Sequence, residues 1–312
     1  MPQPQAQRSI LIAGPTASGK SQLALRLAAR LDGVIINADS MQVYRDLRIL
    51  TARPTEGEEA QAKHALYGFV SGSEAYSAGR YGKDAAAAIA LTRASGRVPI
   101  IVGGTGLYFK VLLEGLAPVP AVDPEVRAHW RAQAAARPAR ELHALLKARD
   151  PEMAARLMPS DPQRIVRALE VLQSTGRSLA QWQREGGRPV LEEACVCLLV
   201  LPDRARQAEA IDRRLEGMMA AGALHEVGAL LARRLSDELP IMRALGVAPL
   251  AAHLRGELAL HAAVAAAKAQ TRRYAKRQAT WLRRNMISWR KISAQETEPF
   301  SDADLSFIDV SR

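Results

Sequence analysis

The chain has 312 residues, 48% of them apolar, which is enough for a sizeable globular core in one large or two smaller domains. Its 43 Lys and Arg against 32 Asp and Glu give a formal net charge of +11, which favours an acidic partner such as nucleic acid. It has no apolar stretch long enough for a membrane span and no apparent secretory signal, and Cys195 and Cys197 lie in no metal-binding cluster. We therefore expect a cytoplasmic globular protein whose two thiols are buried and reduced.

The first predicted strand, Ile10–Ala13, runs directly into Gly14-Pro-Thr-Ala-Ser-Gly-Lys20-Ser21. This motif matches the P-loop pattern G-x-x-x-x-G-K-[ST], in which successive backbone N–H groups turn toward one point and bind phosphate oxygens. The amphipathic helix predicted from Lys20 to Leu31 would add the positive end of its dipole. Lys20 would supply a mobile cation, and the Ser21 hydroxyl a ligand for Mg²⁺. This context favours binding of a di- or triphosphate over a simple glycine-rich turn.

The second predicted strand, residues 34–38, leads into Asp39-Ser40-Met41-Gln42. In open parallel sheets, ligands bind beyond the carboxyl ends of the strands, so we expect Asp39 near the P-loop. At that position the carboxylate can act as a general base, hold Mg²⁺ or cap the following turn.

The third predicted strand, residues 99–102, is followed by Gly103-Gly104-Thr105-Gly106 and has no acid at its end. Common P-loop enzymes place an Asp there to hold the metal, so ATP hydrolysis by a motor or switch protein is disfavoured. Two glycines and a hydroxyl suit the close approach of a ligand, although a tight strand-to-helix turn explains the same residues.

Residues 122–190 interrupt the alternation of strands and helices, and we interpret them as a helical insertion domain. It would separate two parts of a P-loop core, residues 1–121 and 191–312. Asp123-Pro124 and Asp161-Pro162 each predict a helix start, with an N-cap acid before a proline. Arg164 and Arg167 share a helix face, which suggests contact with a ligand, although simple pairing of Arg167 with Glu170 is an equal alternative.

A fourth strand is predicted at residues 194–201, followed by a helix over 205–234, a break at Leu239-Pro240 and helices to about residue 289. Arg213 and Arg214 on the first of these helices are candidates to reach a diphosphate. The strands alternating with helices predict an α/β fold, with a doubly wound parallel sheet around the P-loop and the helical insertion beside it.

The segment from Lys268 to Lys291 contains nine Lys or Arg and no Asp or Glu. Helical spacing places several of its polar residues on one face, namely Arg273, Lys276, Arg277, Thr280 and Arg284. A charge run is commonly a solvated surface, but the missing acids favour binding to a phosphate backbone here. The tail from Ile292 onward carries five acids and is expected to be loosely held.

Six segments, in this order, resemble the tRNA dimethylallyltransferase (isopentenyltransferase) family over about nine-tenths of the chain: GPTASGKS (14–21), INADSMQVY (36–44), TARP (51–54), VGGTGLY (102–108), PQRIVRALEV (162–171) and YAKRQATW (274–281). The resemblance implies a kinase-like P-loop core that binds the diphosphate of dimethylallyl diphosphate rather than ATP. The five-carbon unit would pass to N6 of adenosine 37 in tRNAs that read codons starting with U. The implied partners are this donor, the tRNA anticodon stem-loop and Mg²⁺. We expect no membrane partner and a monomeric protein.

The resemblance also implies a role for each matching residue. The diphosphate would lie on Gly14, Thr16, Ala17, Ser18, Gly19, Lys20 and Ser21, and Ser21 would also hold the metal. Asp39 would take the N6 proton, while Lys20 and Arg214 would neutralise the leaving diphosphate. The implied tRNA contacts are Asp39, Ser40, Met41, Gln42, Thr105, Arg127, Gln163, Arg164, Arg167, Arg243, Lys276, Arg277, Gln278, Trp281 and Arg283.

Three positions depart from the family pattern: Arg53 replaces a Lys, Val247 replaces a Tyr, and a His-rich motif is reduced to His64-Ala-Leu-Tyr. None of them belongs to the expected reacting centre. The residues also leave other functions open. These are a P-loop kinase for a small molecule or nucleoside, and a P-loop RNA-binding protein without catalysis. Prenylation of free AMP is a further option, which the basic helix disfavours.

Overall fold

The computed structural model describes residues 8–294, in two compact units. Unit 1 comprises Met1–Leu113 and Val190–Arg312, and unit 2 comprises Glu114–Pro189. The acidic tail after residue 294, predicted to be loosely held, lies outside the described residues. Within the described part, no helix is both long and apolar enough to cross a membrane.

Unit 1 is built on a six-stranded parallel sheet, which confirms the predicted α/β class. Its strands are β1 (Ile10–Ala13), β2 (Gly33–Asn37), β3 (Lys63–Ala65), β4 (Val98–Gly103), β5 (Val196–Pro202) and β6 (Arg290–Ala294). Their spatial order is β3-β2-β4-β1-β5-β6, and every pairing is parallel. The carboxyl ends of β2, β4 and β1 are therefore neighbours, and this edge of the sheet is where a doubly wound fold binds ligands.

The described helices, in chain order, are α1 (Lys20–Leu31), α2 (Glu56–Gln61), α3 (Ala78–Ala94), α4 (Gly106–Glu114), α5 (Pro124–Ala136), α6 (Ala139–Arg149), α7 (Pro151–Arg156), α8 (Pro162–Thr175), α9 (Leu179–Glu185), α10 (Arg204–Ala220), α11 (Ala223–Ala232), α12 (Val247–Leu254) and α13 (Leu260–Asn285). A short 3₁₀ helix, Pro240–Arg243, precedes α12.

The central strands are buried on both faces, as their short apolar runs predict. Alternate residues of β1 belong to different hydrophobic clusters: Ile10 and Ile12 pack with Leu23 and Leu27 of α1, whereas Leu11 lies in the larger cluster on the other face. The loop after β1 therefore starts from a strand that is packed on both faces, by one hydrophobic cluster on each side.

Three predictions about unit 1 were wrong in detail. The single helix expected over residues 205–234 is two helices, α10 and α11, because Gly222 adopts a left-handed conformation (φ 101°) between them. Ile292 is not part of a loose tail, since it pairs with Val200 in β6. Cys195 and Cys197 are free thiols, but each is half-buried rather than fully buried.

Unit 2 contains α5 to α9 and has a hydrophobic core of its own, centred on Trp130, Leu142 and Ile165. The two predicted helix starts are confirmed. The Asp123 carboxylate accepts a hydrogen bond from the N–H of Glu125, the Asp161 carboxylate accepts one from Arg164, and a proline follows each cap. Each cap satisfies a backbone N–H group that the helix cannot pair.

Candidate active site

The P-loop is a tight turn between β1 and α1, with two residues in left-handed backbone conformations. Ala17 has φ 56° and Gly19 has φ 81°. Alternation of right- and left-handed residues turns successive N–H groups toward one centre, forming a nest for an anion. Gly14 is required at the start of the turn, because a Cβ there would lie 2.8 Å from the carbonyl oxygen of Val200. The residues expected to bind diphosphate are thus gathered in one turn.

Thr16, in the middle of the loop, is held by three side chains from two later helices. Its N–H donates to Oε1 of Gln278 (3.0 Å), and its carbonyl accepts from Nε2 of Gln207 (2.9 Å). Its hydroxyl accepts from Nη1 of Arg214 at 3.5 Å. Both α10 and α13 therefore help to fix the P-loop. Arg214 lies beside the loop, as its position in the sequence predicts.

The charge of Asp39 affects the pKa values of two cations in this site, Lys20 and Arg214. The pKa of Lys20 is lowered to about 8, mainly by burial and to a smaller extent by the nearby Arg214, while the charge of Asp39 opposes the change. Burial also lowers the pKa of Arg214, again opposed by Asp39. The Lys20 ammonium donates to the carbonyl of Pro15 (3.1 Å), a bond that it can exchange for a phosphate oxygen. Positive charge held away from water is well suited to binding an anion.

Asp39 follows β2 and has a fixed backbone but one free carboxylate oxygen. Its N–H donates to Oδ1 of Asn37 (2.8 Å), and Nδ2 of Asn37 donates to its carbonyl (2.9 Å). Its Oδ1 accepts the N–H of Met41 (2.9 Å), so the carboxylate is oriented. Within residues 8–294, its second oxygen has no hydrogen-bond partner. Asp39 can therefore accept a proton from a ligand.

The charge of Asp39 also acts on three tyrosines of unit 1. Burial raises the pKa values of Tyr67, Tyr108 and Tyr274, and the negative charge of Asp39 adds to the increase for each of them. All three phenols are therefore neutral at physiological pH.

The residues after β4 hold the segment that carries Asp39. Thr105 accepts the N–H of Ser40 on its Oγ1 (3.0 Å) and donates its own N–H to the carbonyl of Ala38 (3.2 Å). A Cβ on Gly103 would lie 2.1 Å from the same carbonyl, so only glycine permits the approach. The Gly-Gly-Thr-Gly motif thus packs two strand ends together.

A cavity of about 1350 Å³ opens beside the P-loop in unit 1. Lys20, Ser21 and Arg214 line it, whereas Asp39 does not, although its charge acts on both cations. Further lining residues come from α10 and from the segment of residues 48–58. Gln42 also lines the cavity, and its Nε2 donates to the carbonyls of Thr51 (3.0 Å) and Ala52 (2.7 Å).

Glu226 on α11 holds the cavity wall, and no sequence pattern pointed to it. Its carboxylate accepts the consecutive N–H groups of Arg48 (2.5 Å), Ile49 (2.8 Å) and Leu50 (2.8 Å). Gln207 was missed as well. A single Glu or Gln within an amphipathic helix gives no local signal, because its partners lie more than 170 positions away in the chain.

The outer face of α13 is basic and exposed, as predicted. Arg273, Lys276, Arg283 and Arg284 are exposed, and within residues 8–294 none of their side chains has a hydrogen-bond or ion-pair partner. Other members of the helix are engaged: Arg272 pairs with Asp212, and Arg277 lies over the Tyr274 ring, 5.6 Å from its centroid.

Two expected tRNA contacts on α13 point into the protein. Gln278 is buried, and both ends of its amide are engaged, by Thr16 and by the carbonyl of Gly104 (2.9 Å from Nε2). Trp281 is half-buried against Gly106, where a Cβ would come within 2.0 Å of its ring.

The remaining expected tRNA contacts lie elsewhere in the chain. Arg243 is exposed at the end of the 3₁₀ helix of unit 1. Unit 2 carries Arg127 on α5 and Gln163, Arg164 and Arg167 on α8. Local pairing, one of the two alternatives, does occur: Arg164 lies 3.4 Å from Asp161, and Arg167 lies 3.6 Å from Glu170. Both arginine side chains are exposed, whereas Glu170 is buried, so the two guanidinium groups remain accessible to a ligand.

The departures from the family pattern have simple structural positions. Arg53 packs against Gly68 and donates to the carbonyls of Tyr44 and Arg45. Val247 is buried at the start of α12. The His64 ring stacks edge-on against Tyr67.

The sheet carries a P-loop, a desolvated cation pair and an oriented carboxylate at the carboxyl ends of its central strands. This combination defines a P-loop protein that is suited to a phosphorylated ligand. A family model described as IPP transferase matches residues 42–285, and another described as isopentenyl transferase matches residues 7–67. The chain therefore belongs to the IPP transferase family.

Individual relatives agree with the family models. The chain is 56% identical over 282 residues to a tRNA dimethylallyltransferase of Azorhizobium caulinodans, covering 90% of each chain. It is 51% identical over 303 residues to a tRNA dimethylallyltransferase of Parvibaculum lavamentivorans, covering 97% of this chain and 96% of the relative. A solved structure of a eukaryotic dimethylallyltransferase acting on tRNA superposes with a TM-score of 0.82 at 26% identity, over 96% of this chain and 77% of that one.

Proposed function

We propose that this chain transfers a dimethylallyl group from dimethylallyl diphosphate to N6 of adenosine 37 in tRNAs that read codons starting with U, releasing diphosphate. The observation that carries the proposal is the P-loop after β1, with Lys20 and Arg214 beside it, and Asp39 after β2 at the same edge of the sheet. Close relatives bear the name tRNA dimethylallyltransferase, and the structural neighbour acts on tRNA.

The donor diphosphate would bind in the P-loop nest. The diphosphate would lie against the loop from Thr16 to Ser21, where the backbone N–H groups after Thr16 would contact its oxygens, because the Thr16 N–H is already donated to Gln278. Lys20 would exchange its bond to Pro15 for one of these oxygens. The exposed hydroxyl of Ser21 lines the cavity at the first turn of α1, which fits Mg²⁺ bound by one protein ligand, substrate phosphates and water. When bound, Mg²⁺ would add positive charge against the leaving diphosphate.

The reaction would be a displacement at the allylic carbon. N6 of adenosine forms a bond to C1 of the donor while the C1–O bond breaks, and the diphosphate leaves with the bonding electrons. Lys20 and Arg214 stabilise the charge that develops on the leaving group. The free carboxylate oxygen of Asp39 takes the proton that N6 loses. No acid is needed at the end of β4, because no phosphoryl group is transferred.

The tRNA would be bound through its phosphates by the exposed arginines and lysines of α13 and by those on α5 and α8. The target base must leave the anticodon-loop stack, which single-stranded loops permit at low cost. Ser40, Met41, Gln42 and Thr105 would form the base pocket beside Asp39. Both substrate sites belong to one chain, so we propose that the enzyme acts as a monomer in the cytoplasm, where tRNA is found.

The decisive experiment supplies the purified protein with dimethylallyl diphosphate, Mg²⁺ and total tRNA lacking the modification. Mass analysis of the digested nucleosides should show dimethylallyl adenosine, and ATP should be neither needed nor consumed. AMP offered in place of tRNA tests the free-nucleotide alternative. Transfer of a γ-phosphate to any acceptor would establish the kinase alternative instead, and tRNA binding without transfer would establish the RNA-binding one.

A further inference from the structure

Helix α13 has an exposed basic face and a buried face that contacts the P-loop. Its outer face carries four exposed cations, Arg273, Lys276, Arg283 and Arg284, which have no ion-pair partner among the described residues. Its inner face carries Gln278, whose side chain is 7% exposed and reaches the P-loop. The same helix is therefore a phosphate-binding surface on one side and a support for the diphosphate site on the other.

The amide of Gln278 bridges two loops of the site. Its Oε1 accepts the Thr16 N–H (3.0 Å), and its Nε2 donates to the carbonyl of Gly104 (2.9 Å). A Cβ on Gly104 would lie 2.3 Å from the same nitrogen, so the helix approaches this loop as closely as glycine allows. One end of the amide is thus tied to the P-loop and the other to the loop after β4.

We infer that Gln278 is a positioning residue through which tRNA binding strengthens donor binding. The inference rests on the proposed function. Phosphates bound on the outer face would hold α13 in place, and Gln278 would pass that constraint to Thr16. The donor would then bind to a loop whose ordering has already been completed, which lowers the entropic cost of its binding. The same free energy must tighten tRNA binding when the donor is present.

The chain offers a matched control in Gln207. This residue is equally buried (8% exposed) and holds the same Thr16, because its Nε2 donates to the Thr16 carbonyl at 2.9 Å. It lies on α10 rather than α13. If the P-loop only needs support, loss of either glutamine should have the same effect. If α13 communicates tRNA binding, only Gln278 should affect the coupling.

The test measures the dissociation constant of a non-transferable thio-analogue of dimethylallyl diphosphate by calorimetry, with and without saturating unmodified tRNA. For the unchanged protein we expect tRNA to lower that constant by about fivefold or more. Gln278→Met, which keeps the volume but removes both hydrogen bonds, should bring the ratio close to one. Gln278→Asn, an amide too short to span both loops, should do the same. Gln207→Met should weaken binding of the analogue but keep the ratio.

Circular dichroism and melting temperature establish that each variant is folded before its ratio is compared. An unchanged ratio in the folded Gln278→Met or Gln278→Asn protein would overturn the inference, as would an equal loss in Gln207→Met or the absence of any coupling in the unchanged protein. Prenyl transfer by the unchanged protein is assayed in parallel. If transfer occurs without coupling, only this inference fails, whereas absence of transfer is evidence against the proposed function.

Discussion

The carboxylate of Asp39 is held in one orientation and can still accept a proton. One oxygen is fixed by the Met41 N–H, while the other is unpartnered among the described residues. Asp39→Asn keeps an acceptor for Met41 and removes the proton acceptor, so we expect transfer to slow by about 10²- to 10⁴-fold. Binding of tRNA should stay within a few-fold of normal. Single-turnover rates and filter binding give the two quantities, and near-normal turnover would reduce Asp39 to a cap.

Lys20 predicts a pH dependence of donor binding. Its pKa is lowered to about 8 in the free protein, so the ammonium is present below pH 8 and is progressively lost above it. The donor binds the charged form, and its dissociation constant should therefore rise by up to about tenfold per pH unit above that pKa. Titration of the thio-analogue from pH 6.5 to 9.5 (a range of roughly three units around the Lys20 value) would show the change.

The control for this prediction is Lys20→Arg. A guanidinium keeps its charge throughout the range, so the rise above pH 8 should disappear even if the overall affinity falls. A rise of the same size in both proteins would trace the pH dependence to another group.

At the residue scale, the sequence predicts what lies in local motifs. The residues from Gly14 to Ser21 and Asp39 are contiguous with predicted strand ends, so topology alone places them together. Gln278 was found through resemblance, but as a tRNA contact, because nothing in the sequence shows that its amide faces Thr16 and Gly104. Such a role depends on tertiary contacts between residues far apart in the chain.

At the scale of elements, the cavity wall depends on α11. The Glu226 carboxylate accepts the N–H groups of residues 48–50. The next two residues, Thr51 and Ala52, accept hydrogen bonds from the Gln42 side chain on their carbonyls. Glu226→Gln loses the charge and turns an amide against at least one donor, at a cost of about 1–3 kcal/mol in the free energy of unfolding. We also expect a higher KM for the donor. Urea unfolding and initial rates measure both.

Glu257→Gln is the appropriate comparison. Glu257 is exposed and, within the described part of the chain, pairs with Arg255 alone, so its loss should change little. If the two variants behave alike, the loop does not need the Glu226 carboxylate.

The basic face of α13 predicts a selective effect on tRNA. Changing Arg273, Lys276, Arg283 and Arg284 to Ala should weaken tRNA binding and flatten its salt dependence, by about 0.7–0.9 in the log–log slope for each phosphate that is no longer neutralised. Donor-analogue affinity without tRNA should hardly change. Arg272→Ala removes a cation already paired with Asp212 and serves as the control. If the quadruple variant keeps the wild-type salt slope, the tRNA phosphates are bound by the cations of unit 2 instead.

Sequence patterns identified the four interior strands and missed the two at the edges. Interior strands are buried on both faces and read as apolar runs, whereas β3 (Lys63–Ala65) is three residues long and β6 begins with two cations. An edge strand pairs on one side only, and its polar residues can face water. The last strand was not predicted, because its first two residues, Arg290 and Lys291, were assigned to the basic segment that suggests a nucleic-acid surface.

At the scale of the molecule, unit 2 is inserted into unit 1 at a single place. The N–H groups of Val190 and Leu191 both donate to the carbonyl of Leu112, at 3.0 and 2.9 Å. A short Gly/Ser linker in place of residues 114–189 should therefore leave unit 1 folded and able to bind the donor analogue, while transfer to tRNA is abolished. Calorimetry and circular dichroism test this, and an unfolded product would show that unit 1 needs unit 2.

The strand order of the sheet determines when β1 can complete its pairing during synthesis. β1 lies between β4 and β5, and β5 is translated only after all of unit 2. While the ribosome makes residues 114–189, one edge of β1 stays unpaired and the P-loop lacks both glutamines that hold Thr16. Unit 2 is helical in its described elements and its contacts are local, so it can fold before β5 is available to complete the sheet of unit 1. The nascent chain thus carries a finished helical unit before it possesses a diphosphate site, and that site is completed only when α13, near the end of the chain, has emerged.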